Sequence, residues 1–154
     1  MKYKCLIVDD EPIAQNILKG FVQDVPDLEV HQVCNNAMEA LRVLNEDTID
    51  ILFLDIEMPK ITGLSFLKTL PNPPATIITT AYRQFAVEGF ELNVVDYLLK
   101  PFSFERFLAA VNKVTKKQEF KNSQQVAKGK DFIFFKVDKK KVKVCLEDIF
   151  YIEA

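Results

Sequence analysis

The sequence lacks long apolar segments, because no stretch approaches the roughly 20 residues that cross a membrane. No signal peptide is expected, because Met1-Lys2-Tyr3-Lys4 runs directly into a predicted strand and not into the apolar stretch typical of one. The three cysteines do not have metal-ligand spacing, which favours reduced thiols packed in a core. From these absences we expect a cytoplasmic protein that does not enter the membrane.

The charge is unevenly distributed, although the net charge is only −2. Acidic residues outnumber basic ones through residue 112, and lysines outnumber acidic residues from residue 113 onward. A length of 154 residues corresponds to one domain, or to one domain plus a fragment. The pattern therefore predicts an acidic module joined to a basic segment. That segment either binds polyanions or is a solvated lysine-rich linker.

Short apolar runs alternate with helical patterns through about residue 118, which predicts an α/β fold with a doubly wound parallel sheet. The first helix is expected to begin at Pro12, with Asp10 or Glu11 as its cap. Residues 28–34 are typical of an edge strand, and Asn36 to Glu39 resembles a capping box. The inward-facing stripe of the first helix is predicted to consist of Ile13, Ile17, Leu18, Phe21, Val22 and Val25.

Further along the chain, a short helix is expected over residues 84–92 and a last helix from Ser103 to about Gln125. The pattern changes at Asp131, where a second, all-β unit begins. Its candidate strands cover residues 132–137, 141–146 and 149–152. The predicted organisation is a first domain over 1–120, a linker over 121–130 and a β fragment over 131–154.

Ionisable and polar residues follow the ends of four predicted strands. In an open parallel sheet, ligands bind in the crevice outside the carboxyl ends of the strands. Carboxylates, a hydroxyl and an ammonium are therefore expected to meet at one edge of the sheet, as in a metal-dependent phosphoryl site. The residues concerned are Asp9, Asp10, Glu11, Asp55, Thr80 and Lys100.

If Asp10 and Asp55 lie on neighbouring strands, about 5 Å apart, their repulsion costs roughly 3 kcal/mol, and either raised pKa values or a cation must relieve it. Oxygen ligands at a surface suit Mg²⁺. Asp55 at the mouth of a rigid strand can act as a nucleophile on phosphorus, with Lys100 and Thr80 contacting the phosphoryl oxygens. Taken singly, Asp9-Asp10 could be a helix cap, Lys100 a surface salt bridge and Thr80 a strand-end hydroxyl.

Together these motifs closely resemble the receiver domain of two-component response regulators over residues 3–118. The matching segments are Asp9-Asp10-Glu11, Asp55 with Met58-Pro59 and Gly63, Thr80-Ala81 and Lys100-Pro101-Phe102. The resemblance implies a flavodoxin-like sheet of five strands in the order 2-1-3-4-5 and a cis bond before Pro101.

The resemblance also implies the roles of the site residues. Asp55 accepts a phosphoryl group from the histidine of a sensor kinase, and Thr80 and Lys100 contact its oxygens. Mg²⁺ is held by Asp10, Asp55 and the backbone carbonyl of Glu57, with Asp9 acting mostly through water. Tyr97 matches the switch aromatic, which turns inward when phosphorylation draws Thr80 toward the site. Such a domain is a regulatory switch and not a turnover enzyme.

Residues 131–154 resemble the start of a LytTR-type DNA-binding domain. DNA binding is then expected only through the part of that domain beyond Ala154, where it would serve transcription regulation. The family also implies homodimerisation on phosphorylation, through a face made by the helix over 84–92, the fifth strand and the last helix.

Two other functions of the chain remain open. A haloacid-dehalogenase-like phosphatase also uses a strand-end aspartate as its nucleophile, but it requires a second aspartate two residues on, where this chain has Glu57. A flavodoxin-like cofactor binder is disfavoured, because Asp9-Asp10 would repel a phosphate after the first strand. Steady turnover of a phosphomonoester would favour the phosphatase, and absorbance above the protein band would favour the cofactor binder.

Overall fold

Strands alternate with helices through most of this computed structural model. It describes residues 1–85, 91–126, 132–137 and 140–145. Side chains are described over residues 1–85 and 91–121. The strands are β1 (Tyr3–Val8), β2 (Leu28–Cys34), β3 (Ile51–Asp55), β4 (Ala75–Thr80), β5 (Asp96–Leu99), β6 (Phe132–Val137) and β7 (Lys140–Cys145). The helices are α1 (Pro12–Gln23), α2 (Ala37–Glu46), α3 (Gly63–Thr69) and α4 (Phe104–Val126), with a 3-10 turn over Arg83–Phe85.

The first five strands form one parallel sheet in the order β2-β1-β3-β4-β5, which confirms the predicted fold class and strand order. The register aligns Val8 with Leu54 and Asp55 with Thr79, so these strands end at the same edge. β6 and β7 form a separate antiparallel pair, as expected for a β fragment. The third candidate strand, over 149–152, lies outside the described residues.

Helices cover both faces of the sheet, which is why the central strands are apolar on both sides. On one face α1 and α4 pack against the strands, with Leu18, Val22 and Phe107 in a common buried cluster. On the other face α2 and α3 pack, with Val43 and Leu67 among the buried residues. The doubly wound prediction is therefore confirmed at the level of packing.

The predicted inward stripe of α1 is wrong for its first two members. Leu18 and Val22 are buried, but Ile13 is 75% exposed and Ile17 is 45% exposed. Leu18, the residue after Ile17, is buried, so Ile13 and Ile17 lie to the side of the face that packs on the sheet, and both line a groove there. Helical periodicity identified the apolar positions of α1 without showing how much of that apolar face is covered.

The predicted N-caps of both helices are confirmed, Glu11 for α1 and Asn36 for α2, but only Asn36 caps through its side chain. Glu11 is the N-cap residue of α1 but its side chain makes no capping bond. The backbone N–H of Glu11 instead donates to Asp9 Oδ1 at 2.9 Å. At α2 the Asn36 side chain accepts from the Glu39 backbone N–H at 2.9 Å.

Two buried thiols lie in the strands, as predicted from the cysteine positions. Burial raises the pKa of Cys5 to about 12 and that of Cys34 to about 11, so both are neutral and unreactive at neutral pH. The side chain of Cys145 lies outside the described residues.

The carboxyl-terminal part of the chain follows the sequence pattern where it is described. The Cα positions divide the chain into two compact units, Met1–Val114 and Thr115–Ala154. α4 continues to Val126, through the start of the predicted linker. Of the helix predicted over 84–92, residues 86–90 lie outside the described part. None of the described helices has the length and apolarity needed to span a bilayer.

Candidate functional site

The carboxyl edge of the sheet brings together the polar side chains that the strand ends predicted. Asp9 and Asp10 follow β1, Asp55 is the last residue of β3 and Thr80 is the last residue of β4. Lys100 follows β5, and its backbone N–H donates to the Thr80 carbonyl at 2.7 Å. The peptide bond between Lys100 and Pro101 is cis, as the family resemblance implied.

Three carboxylates form a cluster at this edge. One oxygen from each of Asp9, Asp10 and Asp55 lies within 4.8 Å of the others. The side chains of Asp9 and Asp55 are buried, while Asp10 is exposed. Three carboxylates this close repel one another strongly unless positive charge or protons are supplied.

Lys100 supplies part of that positive charge. Its Nζ lies 2.8 Å from Asp9 Oδ2 and 3.4 Å from Asp55 Oδ1. Burial acts to lower the pKa of this ammonium, but the hydrogen bond with Asp9 and the charge of Asp55 outweigh it and raise the pKa. Lys100 is therefore a cation at neutral pH and bridges two of the three carboxylates.

The charge of the cluster is not balanced by Lys100 alone. Burial is the largest cause of a raised pKa at Asp55, which reaches about 7. The ammonium of Lys100 opposes this shift, and the Asp9 and Asp10 carboxylates add to it. A further cation would relieve the excess negative charge, and an all-oxygen donor set of this kind fits a hard divalent ion such as Mg²⁺.

Asp9 is held in place by more than its ion pair, through a residue that the sequence did not suggest. Gln15 Nε2 donates to the Asp9 carbonyl at 2.6 Å and to Asn35 Oδ1 at 2.9 Å. The side chain thus ties α1 to the ends of β1 and β2. Its only sequence signal is a polar residue one turn after Glu11, which is too weak to identify a role.

Gly63 packs directly against the backbone of the candidate nucleophile. A Cβ atom at this position would overlap the Asp55 carbonyl oxygen and lie 3.1 Å from the Ile56 Cα. The Gly63 N–H donates to the Ile56 carbonyl at 2.8 Å. A glycine is therefore needed where α3 begins, because any side chain would displace the end of β3.

Thr80 and Tyr97 lie together beside this edge. The Thr80 hydroxyl accepts from the Tyr82 backbone N–H at 3.2 Å. The Tyr97 hydroxyl donates to the Tyr82 carbonyl. Burial raises the pKa of Tyr97, and a hydrogen bond with Thr80 opposes the shift. The two predicted switch residues are thus in contact through their side chains and through Tyr82.

A groove of about 290 Å³ opens beside the cluster. Charged side chains of Asp55, Glu57 and Lys100 line part of it, and apolar side chains of Ile13, Ile17 and Phe102 line the rest. The groove gives a ligand access to Asp55, and its apolar wall is made by the residues of α1 that the periodicity had placed in the core.

Comparison with known proteins agrees with this geometry. The sequence matches the protein-family model described as "Response regulator receiver domain" over residues 5–112. It is 40% identical over 126 residues to the sensory transduction protein LytR of Staphylococcus haemolyticus, covering 80% of this chain and 48% of that protein. It is 39% identical over 121 residues to the transcriptional regulatory protein BtsR of Escherichia coli K12, covering 75% and 51%.

The chain therefore spans about half the length of the curated relatives it matches. Solved structures resemble it over the same region. One is the response regulatory domain of MrkE from Klebsiella pneumoniae, with a TM-score of 0.70 and 30% identity, covering 75% of this chain and 98% of that one. Another is the receiver domain of AraT from Geobacillus stearothermophilus, with a TM-score of 0.68 and 35% identity, covering 79% and 99%.

The strand order, the edge cluster and these similarities agree with one another. The relatives and structures are regulators, and they give the phosphatase alternative no support. The chain belongs to the response regulator receiver domain family.

Proposed function

We propose that the chain is a phosphorylation switch in which Asp55 accepts a phosphoryl group from the histidine of a sensor kinase. The observation that carries the proposal is the position of Asp55. Its carboxylate is buried at the end of β3, within reach of two further carboxylates and 3.4 Å from the Lys100 ammonium. Such a carboxylate is positioned as a nucleophile and is accessible from the groove.

In the proposed step, an Asp55 carboxylate oxygen attacks phosphorus while the bond from phosphorus to the donor imidazole nitrogen breaks. The bonding electrons return to that nitrogen, and an acyl phosphate remains on Asp55. Lys100 offsets the negative charge of the phosphoryl oxygens, and the Thr80 hydroxyl donates to one of them. The product is a modified side chain, so one cycle labels one site and is not turnover.

A divalent cation fits the cluster, and Mg²⁺ is the proposed ion. Asp10, Asp55 and the backbone carbonyl of Glu57 would hold it, with Asp9 acting mostly through water. When bound, the ion neutralises charge on the carboxylates and on the phosphoryl oxygens. The close approach of three carboxylates with a single ammonium among them supports this assignment, because a divalent ion would offset the charge that Lys100 leaves unpaired.

Thr80 and Tyr97 are the proposed switch residues. A phosphoryl group on Asp55 would compete for the Thr80 hydroxyl, which now accepts from Tyr82 and interacts with Tyr97. The contacts between Tyr97 and the segment after β4 would then change. Because Tyr97 lies on β5, the change would alter the surface formed by β5 and α4.

The apolar wall of the groove is the proposed contact for the kinase. A phosphohistidine must come within bonding distance of Asp55, so the protein that carries it has to cover the rim. Ile13 and Ile17 are exposed on that rim, next to Phe102. Apolar side chains exposed beside a reactive group favour a protein donor over a small anion alone.

The output of the switch is proposed from the relatives. LytR of Staphylococcus aureus and BtsR are named transcriptional regulatory proteins. We propose that residues 1–120 form the receiver, 121–130 a linker and 131–154 the start of a LytTR-type domain, whose DNA contacts lie beyond Ala154. Phosphorylation would then favour homodimers and control transcription through that domain.

Stoichiometry tests the switch against a phosphatase. With acetyl phosphate and Mg²⁺, the chain should gain label that reaches a plateau near one group per molecule, and a phosphomonoester should not be consumed. The label should be stable in acid and lost in base, as expected for an acyl phosphate. Continuous hydrolysis of the phosphomonoester, dependent on Asp55, would contradict the proposal.

A further inference from the structure

A second charged cluster lies at the opposite end of β5 from Lys100. Asp96 begins this strand, and Arg106 approaches it from the first turn of α4. Arg106 Nη1 and Nη2 lie 2.8 Å from Asp96 Oδ2 and Oδ1, which is a two-pronged guanidinium–carboxylate pair. Lys113 Nζ also lies 2.8 Å from Asp96 Oδ2.

The cluster also holds both backbone polar groups of Tyr97. The Tyr97 N–H donates to Asp96 Oδ1 at 2.8 Å, and Arg106 Nη2 donates to the Tyr97 carbonyl at 2.9 Å. β5 is the edge strand of the sheet, and an edge strand leaves such groups without a neighbouring strand. At Tyr97 the side chains of Asp96 and Arg106 make the hydrogen bonds that a neighbouring strand would otherwise make.

The side chain and the backbone of Tyr97 are therefore held by different parts of the chain. Its hydroxyl donates to the Tyr82 carbonyl, on the segment after β4, while its backbone is fixed to α4 through Arg106. Arg106 itself is well placed, because its backbone N–H donates to the Ser103 hydroxyl at 3.1 Å at the start of α4. A movement of α4 relative to β5 would move the Tyr97 carbonyl with it.

We propose that Arg106 is a positioning residue for Tyr97, which sets the tyrosine's side-chain orientation by clamping its backbone between Asp96 and α4. The inference rests on the switch role proposed above for Tyr97. It adds a route by which a change at Thr80 and Tyr97 reaches the last helix. Lys113 shares the Asp96 carboxylate and no bond to Tyr97 is described for it, so it serves as the matched control.

Fluorine NMR of protein containing 3-fluorotyrosine tests the clamp directly, with the Tyr97 signal assigned by its loss in Tyr97→Phe. In Arg106→Met, without any phosphodonor, the Tyr97 signal should shift and broaden, because the ring exchanges between orientations. Arg106→Lys retains the charge but cannot bridge Asp96 and the Tyr97 carbonyl, so it should show the same change. Lys113→Met should leave the signal where it is in the unmodified chain.

A second arm connects the clamp to phosphorylation. With acetyl phosphate and Mg²⁺, Arg106→Met should be labelled at an unchanged rate, while the label-dependent change at Tyr97 should fall by about fivefold. Melting temperatures of the variants show whether each remains folded. Absence of labelling in the unmodified chain would count against the proposed function and leave the first arm intact.

Three results would overturn the clamp. One is a Tyr97 signal in Arg106→Met that matches the unmodified chain. Another is an equal disturbance in Lys113→Met, which would make the charge on Asp96 the cause instead of the bond to Tyr97. The third is full rescue by Arg106→Lys, because a single ammonium does not reproduce the bridging geometry.

Discussion

Asp9 differs from the other carboxylates of the cluster because both of its oxygens already have partners. Oδ1 accepts from the Glu11 N–H, and Oδ2 accepts from Lys100. The side chain is completely buried. A buried carboxylate that loses its cationic partner is strongly destabilising, whereas a neutral residue in its place is tolerated. Loss of Lys100 is therefore expected to destabilise the domain, because Asp9 would remain buried and charged.

The pairing of Asp9 with Lys100 gives a prediction at this scale. Lys100→Met should lower the free energy of unfolding by about 3 kcal/mol, because it leaves Asp9 buried without its ammonium. Adding Asp9→Asn to that variant should recover part of the loss, since the buried charge is then gone. Urea unfolding measures both values, with Lys68→Met on the exposed side of α3 as the control. A double variant less stable than Lys100→Met would show that the unpaired charge of Asp9 is not the cause of the lost stability.

At the level of secondary structure elements, the start of α3 determines where β3 ends. Gly63 lies against the Asp55 backbone, with no room for a side chain, while a Cβ atom added at Gly20 in α1 would have nothing within 4 Å. The two glycines thus have different reasons for their presence. One is required by a close approach, and the other occupies a helix interior that alanine would suit better.

These two positions provide a matched pair of substitutions. Gly63→Ala should lower the free energy of unfolding by roughly 1–3 kcal/mol and reduce labelling, because the backbone of Asp55 must shift. Gly20→Ala should raise the free energy of unfolding by about 0.5–1 kcal/mol, since alanine loses less entropy in a helix. Denaturant unfolding and intact-mass labelling check both. Equal stabilities for the two variants would contradict the proposed contact.

The Asp96 cluster joins β5 to α4 and gives stability a dependence on pH. Burial acts to raise the pKa of Asp96, but hydrogen bonds from Arg106 and Lys113 hold it well below its usual range. A carboxyl whose pKa is lower in the folded chain stabilises the fold above its unfolded pKa of about 3.9. That stabilisation is lost as the pH falls through the folded pKa.

The stability difference between the unmodified chain and Asp96→Asn should therefore be largest near neutral pH and shrink below about pH 4. Urea unfolding at several pH values measures it. Asp47→Asn, which removes an exposed partner of His31, is the control and should give a small difference throughout. A difference for Asp96→Asn that stays constant down to the lowest pH would show that the ion pair is not its source.

At the scale of the whole molecule, the groove beside Asp55 combines a reactive group with an apolar wall. Ile13 and Ile17 are exposed on the surface of the domain, where a docked protein would bury their apolar area. A small phosphodonor needs no such wall. The two isoleucines should therefore distinguish protein donors from acetyl phosphate.

Replacing both isoleucines by glutamine tests this distinction. Transfer from a phosphorylated sensor kinase that labels the unmodified chain should slow by about tenfold, because an apolar contact is lost. Labelling by acetyl phosphate should proceed at the same rate as before. Met38→Gln, at an exposed position on α2 that does not line the groove, is the control. Equal slowing with both donors would show that the site itself had been damaged.

Much of the fold and the position of the site followed from local patterns. Strand ends could be read from short apolar runs, and parallel strands place their ends at one edge, so Asp9, Asp55 and Lys100 could be predicted to meet. The exposure of Ile13 could not be predicted, because periodicity does not show how much of an apolar helix face is covered. The pair of Asp96 and Arg106 was also missed, since a contact between a strand and a later helix has no fixed spacing.

The phosphoryl acceptor is the central claim, and mapping the label tests it most directly. After reaction with acetyl phosphate and Mg²⁺, intact mass and peptide sequencing should find one phosphoryl group per chain, on Asp55, and none on Asp55→Asn. Asp47→Asn should be labelled like the unmodified chain. A label on another residue, or an undiminished label in Asp55→Asn, would contradict the account.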